Sequence, residues 1–173
     1  MVSDSALHRV YFPTEKWSEH YERNGAHPLI TLTKTQLAEF FAGERRIFDI
    51  PLSPEGTLFQ QKVWNMLRRI PYGKTWSYAE EAKRVGKASA TRAVASANGR
   101  NPIPIIIPCH RVVPKGGGTG GYSGGVERKM LLLKLEQHYL APTKQHAKKK
   151  SAKSVKKTAK KKKITPRRTA KKK

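Results

Sequence analysis

The single cysteine of the chain, Cys109, lies where an apolar segment meets two basic side chains. Three isoleucines (Ile105–Ile107) and a proline precede it, and His110 and Arg111 follow it directly in the stretch IIIPCHRVV. A thiol becomes a strong nucleophile only as the thiolate, and a nearby positive charge or base favours that form. Because His110 and Arg111 can supply both, the stretch predicts a nucleophilic cysteine.

The residue types leave two other interpretations of Cys109 open. Free cysteine is among the most buried residue types, so Cys109 can be an inert core residue. A cysteine hydrolase is the second alternative, with histidine and asparagine supplied from elsewhere in the fold, although no stretch matches the local signatures of those families. One cysteine forms no internal disulfide. No zinc site is expected, because ligand spacing is lacking among His8, His20, His27, His110, His138 and His146.

Capping signals predict the helices that precede the cysteine. Thr57 and Gln60 form a capping-box pattern, and Ser77 and Glu80 form a second one. Ser89 is predicted to cap a third helix. Two short helices joined by the sequence GKAS have the outline of a helix-turn-helix.

The segments next to Cys109 are predicted to be a strand, a loop and a helix. Ile103–Ile107 reads as a buried strand that leads into the cysteine. The loop GGGTGGYSGG, Gly116–Gly125, suits a close approach of its backbone to a ligand or to another segment. It lacks the Lys-Ser/Thr ending of a phosphate-binding P-loop. An amphipathic helix is predicted over roughly residues 127–138.

The first 54 residues are predicted to form a small sheet with one helix. Val10–Phe12, Leu29–Leu32 and Phe48–Ile50 are short β-type runs bounded by proline or glycine. Thr33 or Thr35 is predicted to cap a helix that ends near residue 43. No residue pattern in this part indicates chemistry.

The charge of the chain indicates a polyanionic partner. Lys and Arg number 36 against 12 Asp and Glu, which gives a formal net charge of +24. Residues 144–173 hold fourteen Lys, two Arg and no acid, and the other 143 residues hold 20 basic and 12 acidic side chains. Both parts are therefore basic, which favours nucleic acid as a partner.

The Lys-rich tail resembles the tails of histone-like proteins. Its composition cannot bury enough apolar area to fold alone, so it is expected to be disordered and to bind nucleic acid nonspecifically. A solubilising extension and, in a eukaryote, a nuclear-targeting signal are the alternatives. No signal-peptide pattern and no run of about 18 apolar residues is present, so a soluble, intracellular protein without a membrane partner is expected.

Residues 56 to about 136 carry the motifs of a known family. The motifs are GTLFQQKVW, IPYGKTWSYAEEA, TRAVASANGRNPIPIIIPCHRVV and GGYSGGVERKMLLLKLE. In these the chain closely resembles the O6-alkylguanine-DNA alkyltransferases, also called methylated-DNA–protein-cysteine methyltransferases. PCHRV preceded by NPxPIxI is a highly specific signature. The N-terminal part matches more loosely, mainly in QLAEFFAGERRIFDIPL, and the tail lies outside the family pattern.

The element pattern and the resemblance together imply three parts. Residues 1–54 would be an α+β domain with a small sheet and a helix. Residues 55–142 would be the DNA-binding and alkyl-acceptor domain, which is mostly helical and winged-helix-like with a helix-turn-helix. Residues 143–173 would be the disordered Lys-rich tail.

The resemblance also implies a reaction, which is DNA repair by direct reversal. Cys109 would irreversibly take a methyl or other alkyl group from O6 of a guanine flipped out of the DNA stack, with O4 of thymine as an alternative target. His110 would act through a water as the base for the thiol, and Glu136 would orient the imidazole and balance its charge. Asn101 matches the position that ties the active-site turn together.

Five further positions correspond to DNA and base contacts in the family. Tyr78 would crowd the phosphate and help to rotate the nucleotide, and Arg92 would fill the space vacated in the stack. The backbone of Val112, the ring of Tyr122 and the side chain of Ser123 would recognise the base. Each has a plainer interpretation from the residue type alone, since Tyr78 and Tyr122 can be packing aromatics, and Arg92 an exposed cation.

The resemblance implies a single-turnover transferase that needs no cofactor and no zinc. Its partner would be double-stranded DNA containing O6-alkylguanine, and it would act as a monomer. Its location would be cytoplasmic and nucleoid-associated in a bacterium, or nuclear in a eukaryote. The rival functions are a non-catalytic alkyl-lesion-binding protein, whose known examples lack the cysteine, and a histone-like DNA-binding protein in which the domain is incidental.

Overall fold

The described part of this computed structural model comprises residues 1–12 and 27–140. Helices dominate it, and its one sheet has two short parallel strands. In chain order the elements are α1 (Pro28–Phe41), α2 (Leu58–Leu67), β1 (Trp76–Ser77), α3 (Tyr78–Arg84), α4 (Thr91–Gly99), β2 (Val112–Val113) and α5 (Val126–Leu140). Short 3₁₀ turns, Ala88–Ala90 and Cys109–Arg111, precede α4 and β2. The predictions for the tail, residues 143–173, lie outside the described residues.

Two of the predicted helix starts are confirmed. At α2 the Thr57 side chain accepts from the Gln60 backbone N–H while the Gln60 side chain accepts from that of Thr57. Ser77 and Glu80 make the same reciprocal pair at α3. The last predicted helix is also confirmed, as α5. The prediction that Ser89 caps the third helix is wrong, because Ser89 lies within the 3₁₀ turn and α4 begins at Thr91 without a side-chain cap.

Helix α1 replaces a predicted strand and begins earlier than predicted. Leu29–Leu32 is helical, because Pro28 has a φ suited to a first turn and the His27 ring accepts from the Leu29 N–H. The predicted caps Thr33 and Thr35 therefore lie inside the helix. Its buried residues follow a helical spacing, which overrides the β-propensity of the first turn; they are Leu29, Thr33, Gln36 and Phe40.

The predicted strands at Val10–Phe12 and Phe48–Ile50 are also wrong, and with them the small N-terminal sheet within the described residues. The Gln36 amide binds both the N–H and the C=O of Asp49, at 2.8 and 3.0 Å, and so replaces a strand partner. Val10 makes one backbone hydrogen bond, to the Pro102 carbonyl. Only isolated bridges, Val2 with Leu7 and Leu7 with Leu52, occur there among the described residues.

The predicted strand Ile103–Ile107 is instead a compact loop. Ile105 has a φ of 72°, a left-handed conformation that a β-branched residue rarely adopts and that interrupts an extended chain. The Ile107 N–H donates to the Ile103 carbonyl at 2.9 Å and closes the loop. The isoleucine run is nevertheless buried, as predicted.

Residues Met1–His138 form one compact unit, and a second begins at Tyr139. Apolar residues from both sides of position 54 share one core, which includes Val63, Trp64 and Leu67 of α2. The buried Trp64 indole N–H donates to the Ala97 carbonyl at 2.9 Å and ties α2 to α4. No helix in the described ranges has the length and apolarity to cross a membrane.

Candidate active site

The two-stranded ladder brings the start of α3 beside the cysteine turn. Trp76 pairs with Val112 and Ser77 pairs with Val113. Strand β1 continues directly into α3, which begins at Tyr78, and the turn Cys109–Arg111 continues directly into β2. The pKa of Tyr78 is accordingly raised, first by burial and then by the charge of Cys109.

Cys109 is buried, and the Asn101 side chain holds it in place. The thiol residue is 5 % exposed, and Asn101 Nδ2 lies 3.0 Å from its Sγ. The same amide donates to the Ile107 carbonyl at 2.8 Å, and its Oδ1 accepts from the Ile103 N–H at 3.0 Å. One buried amide therefore fixes the loop before the cysteine and touches the sulfur.

His110, Arg111 and Glu136 form a buried cluster behind the cysteine turn. His110 Nε2 lies 2.9 Å from Glu136 Oε1, and both side chains are fully buried. Arg111 donates to both oxygens of Glu136 and, through Nη1, to the Ile70 carbonyl at 2.7 Å. The Gly73 N–H adds a bond of 2.7 Å to Glu136 Oε2. Glu136 thus joins α5 to the Cys109 turn.

The charges in this cluster are set by its hydrogen bonds. Burial raises the pKa of Glu136, but the bonds from His110 and Arg111 outweigh burial and hold that pKa below its usual value. Burial lowers the pKa of His110, although Glu136 opposes this shift. An ionised Glu136 accepts the proton on Nε2, so the tautomer that fits leaves Nδ1 as an acceptor. Nδ1 has no hydrogen-bond partner within the described residues.

The thiol is protonated at rest. Burial raises the pKa of Cys109 to about 11, while the Asn101 hydrogen bond and the charge of Lys129 act in the opposite direction. Only a small fraction is thiolate near neutral pH, so a nucleophilic Cys109 needs a base to remove its proton.

The glycine-rich loop carries Tyr122 against the N-terminal segment. The rings of Phe12 and Tyr122 meet edge to face with centroids 5.8 Å apart. A side chain at Gly124 would collide with the Phe12 ring, which confirms the predicted close approach of this loop to another segment. Gly120 has a φ of +64°, and a Cβ there would lie 3.2 Å from the Tyr78 hydroxyl. Burial and the charge of Cys109 raise the pKa of Tyr122.

The other predicted positions lie around this cluster. Val112 follows the cysteine turn, and its carbonyl accepts from Lys129. Ser123 is exposed and lines a cavity of about 340 Å³ together with Asn101. Arg92 is exposed on the first turn of α4. Arg92 makes none of the hydrogen bonds or ring contacts that join the cluster.

Lys129 is a site residue that the sequence reasoning missed. It is fully buried, and its Nζ donates to the carbonyls of Val112 at 2.6 Å and Gly121 at 3.3 Å. Burial lowers its pKa, and the charge of Cys109 raises it. The signal was its spacing, because Lys129 precedes the buried Leu132 by three residues and Glu136 by seven, which places all three on one helix face.

The described ranges contain no group of three or more His, Cys, Asp or Glu side chains that could hold a metal ion. Within the described part of the chain, the geometry offers a buried thiol, an imidazole whose Nδ1 has no hydrogen-bond partner, and a carboxylate that orients this imidazole. Such an arrangement suits a one-step displacement by sulfur.

Comparison with known proteins identifies the family. Residues 58–138 match the family described as 6-O-methylguanine DNA methyltransferase, DNA binding domain. The constitutive methylated-DNA–protein-cysteine methyltransferase of Bacillus subtilis is 46 % identical over 140 residues, which cover 78 % of this chain and 85 % of that protein. The chain belongs to the methylated-DNA–protein-cysteine methyltransferase family.

Other members of the family are similar over shorter spans. The Methanosarcina acetivorans methyltransferase is 55 % identical over 58 % of this chain and 65 % of its own length. A crystal structure of Mycobacterium tuberculosis OGT in complex with DNA has a TM-score of 0.62 at 50 % identity and covers 63 % of this chain and 68 % of that one. The methyltransferase fold is therefore shown for the part that contains the Cys109 cluster.

Proposed function

We propose that this methyltransferase repairs DNA by moving an alkyl group from O6 of guanine to Cys109, one group per protein molecule. Two contacts carry the proposal. The buried thiol of the PCHRV segment contacts the Asn101 side chain, and the histidine of the same segment is paired with Glu136. Removal from O4 of thymine is the alternative specificity.

The proposed reaction is a displacement at carbon. A water between His110 Nδ1 and the thiol would pass the proton of Cys109 to the imidazole, since adjacent side chains rarely bond directly. The thiolate attacks the alkyl carbon, a C–S bond forms and the C–O bond breaks. The electron pair of the broken bond stays on the guanine, which takes up one proton from solvent, while the imidazole returns the thiol proton to solvent, so that the protons balance. Because the thioether has no low-energy route back to the thiol, the protein is consumed.

Glu136 would hold the protonated imidazole during this step. It already carries the compensating negative charge and is itself held by Arg111 and Gly73. Lys129 would oppose the resting preference for thiol, because its charge lowers the pKa of Cys109. No cofactor is needed.

The target base must leave the stack before Cys109 can reach it. We assign extrusion to Tyr78 and Arg92, at the starts of α3 and α4, and recognition of the base to Val112, Tyr122 and Ser123. The helix-turn-helix would dock in the minor groove as part of a winged-helix-like domain over residues 55–142. The relative from Mycobacterium tuberculosis, crystallised in complex with DNA, supports DNA as the partner, and we take duplex DNA as its form.

With DNA as the partner, we also assign roles to the two ends of the chain, an oligomeric state and a location. Residues 1–54 would support the alkyl-acceptor domain, and the Lys-rich tail from residue 143 would bind nucleic acid nonspecifically. The protein would act as a monomer, in the cytoplasm of a bacterium or in the nucleus of a eukaryote, wherever the genome lies.

A titration with duplex DNA containing one radiolabelled O6-methylguanine tests the function. The label should move from DNA to protein until one methyl group has been transferred per protein molecule, and then stop. Binding without loss of the methyl group from DNA would instead support a lesion-binding protein. Repeated turnover would contradict the irreversible step.

A further inference from the structure

Glu81 is a buried acid that the proposed chemistry does not use. It lies in α3, one turn after Tyr78, and its side chain is fully buried. Asn98 of α4, also buried, donates from Nδ2 to Glu81 Oε2 at 2.6 Å. This bond joins the two helices whose first residues include Tyr78 and Arg92.

Two atoms of this pair have no hydrogen-bond partner within the described residues. They are Glu81 Oε1 and Asn98 Oδ1. An ionised carboxylate and an amide oxygen are both acceptors only, and leaving them buried and unpaired is costly. A single proton on Oε1 gives both atoms a hydrogen-bond partner, because the carboxyl O–H can donate to Asn98 Oδ1 while Asn98 Nδ2 donates to Oε2. The neutral acid and the amide would then form a closed pair with two hydrogen bonds.

No cation in the described part of the chain compensates the charge of an ionised Glu81. Of the elements packed against α3, α2 contributes Lys62 and α4 contributes Arg92, and both side chains are exposed. The strands and the turn Ala88–Ala90 contain no charged residue. Tyr78 on the same helix and Cys109 feel the Glu81 charge, and Arg111 is already paired with Glu136.

The electrostatics agree with this geometry. Burial raises the pKa of Glu81 to about 7, although the Asn98 hydrogen bond lowers it. An ionised Glu81 also raises the pKa of Cys109. Ionisation therefore breaks the closed pair and disfavours the thiolate at the same time.

We propose that Glu81 is a positioning residue that acts as a neutral carboxylic acid, clamping α3 to α4 through Asn98 so that Tyr78 and Arg92 stay in register for extrusion of the base. This rests on the proposed repair function. On ionisation the Oε1 proton passes to solvent, Oε1 and Oδ1 become two facing acceptors, and the clamp loosens. Repair of duplex DNA then slows more than reaction with a free base.

The test compares Glu81→Gln with the parent protein across pH. Glutamine keeps both hydrogen bonds to Asn98 at every pH, because its amide both donates and accepts. The ratio of the duplex repair rate of the variant to that of the parent should rise by about tenfold between about pH 6 and about pH 8.5, as expected for loss of one buried hydrogen bond. The same ratio for free O6-benzylguanine should rise less.

Glu80→Gln is the matched control. It removes one charge from the neighbouring position of the same helix, where the side chain is exposed and glutamine still fits the capping box. The ratio of its duplex repair rate to that of the parent should not change with pH. A flat ratio for Glu81→Gln, or an equal rise for Glu80→Gln, would overturn the clamp.

A direct titration of the unsubstituted protein keeps the proposal testable if the variant does not fold. With carbon-13 in the glutamate carboxyl groups, the NMR resonance of Glu81 should titrate near pH 7. Titration at the ordinary value of 4.5 would overturn the proposal. This readout needs no alkyl transfer, so failure of the clamp and failure of the repair function are distinguished.

Discussion

At the scale of the residue, Glu136 is the common acceptor of the buried cluster behind the cysteine turn. It is fully buried and accepts from His110, Arg111 and the Gly73 backbone. A buried pair is strongly destabilised when one partner is removed, because the other charge is left uncompensated. The carboxyl therefore supports the fold as well as the imidazole.

Glu136→Gln should lower the free energy of unfolding at neutral pH by about 3–5 kcal/mol, since it leaves Arg111 buried without a counter-charge. Urea unfolding measures this, with Glu127→Gln on the exposed face of α5 as the control. The pKa of Glu136 is depressed in the folded protein, so its contribution is present above the ordinary pKa of 4.5 and disappears as the pH falls through the folded-state value. The difference in unfolding free energy between the variant and the parent should therefore disappear in acid. A gap independent of pH would contradict the ion cluster.

Asn101→Ala should slow the reaction of Cys109 with free O6-benzylguanine. The Asn101 hydrogen bond lowers the pKa of the thiol, so its removal should let burial raise that pKa further. A rise of one pKa unit would reduce the thiolate about tenfold at a given pH. The pH dependence of the single-turnover rate measures the shift. An unchanged pH profile would show that Asn101 only supports the loop.

At the scale of the element, the two residues assigned to extrusion lie in the first turns of α3 and α4. A free base needs no extrusion, whereas a base in a duplex does. Tyr78→Ala and Arg92→Ala should therefore reduce repair of duplex O6-methylguanine much more than reaction with free O6-benzylguanine. Single-turnover rates on both substrates measure the difference, with the exposed Lys62→Ala on α2 as a control. Equal losses on both substrates would place these residues in the chemistry or in the core.

The elements that were predicted correctly have local signals. The capping boxes at Thr57 and Ser77 each involve residues only three positions apart, so a stretch of four residues contains both partners. The wrong strand at Phe48–Ile50 was decided by a distant partner. The Gln36 amide satisfies the backbone of Asp49, thirteen residues later, and a neighbouring strand is not needed.

The site residues also divide into those with a local sequence signal and those whose position depends on distant partners. The PCHRV motif pointed to Cys109 and its neighbour His110, and the resemblance added Asn101 and Glu136. The pairing of Arg111 with Glu136 across 25 positions follows from how α5 packs against the turn, which no local pattern describes. The burial of Lys129 had only a weak local signal, its spacing with Leu132 and Glu136 on one face of α5.

At the scale of the whole molecule, the charge is divided between a basic body and a more basic tail. Sixteen positive charges without an acid in residues 144–173 should bind phosphates and release counterions. A tethered basic segment also raises the local concentration of the domain near DNA.

Deletion of residues 144–173 should weaken nonspecific DNA binding and flatten its salt dependence, by about 0.9 in the logarithmic slope for each phosphate that the tail neutralises. Binding isotherms over a range of salt concentrations measure this. The free-base reaction rate at Cys109 should be nearly unchanged and serves as the internal control. A salt slope equal to that of the full-length protein would show that the tail does not engage phosphates.

The roles assigned to His110, Asn101 and Glu136 in catalysis all depend on Cys109 as the alkyl acceptor. After incubation with duplex DNA containing O6-methylguanine, peptide mass mapping should find one added methylene, on the peptide that contains Cys109 and on that residue. Cys109→Ser should fold, bind the same DNA and leave its methyl group in place. A methyl group on any other residue, or its removal from DNA by Cys109→Ser, would contradict the account.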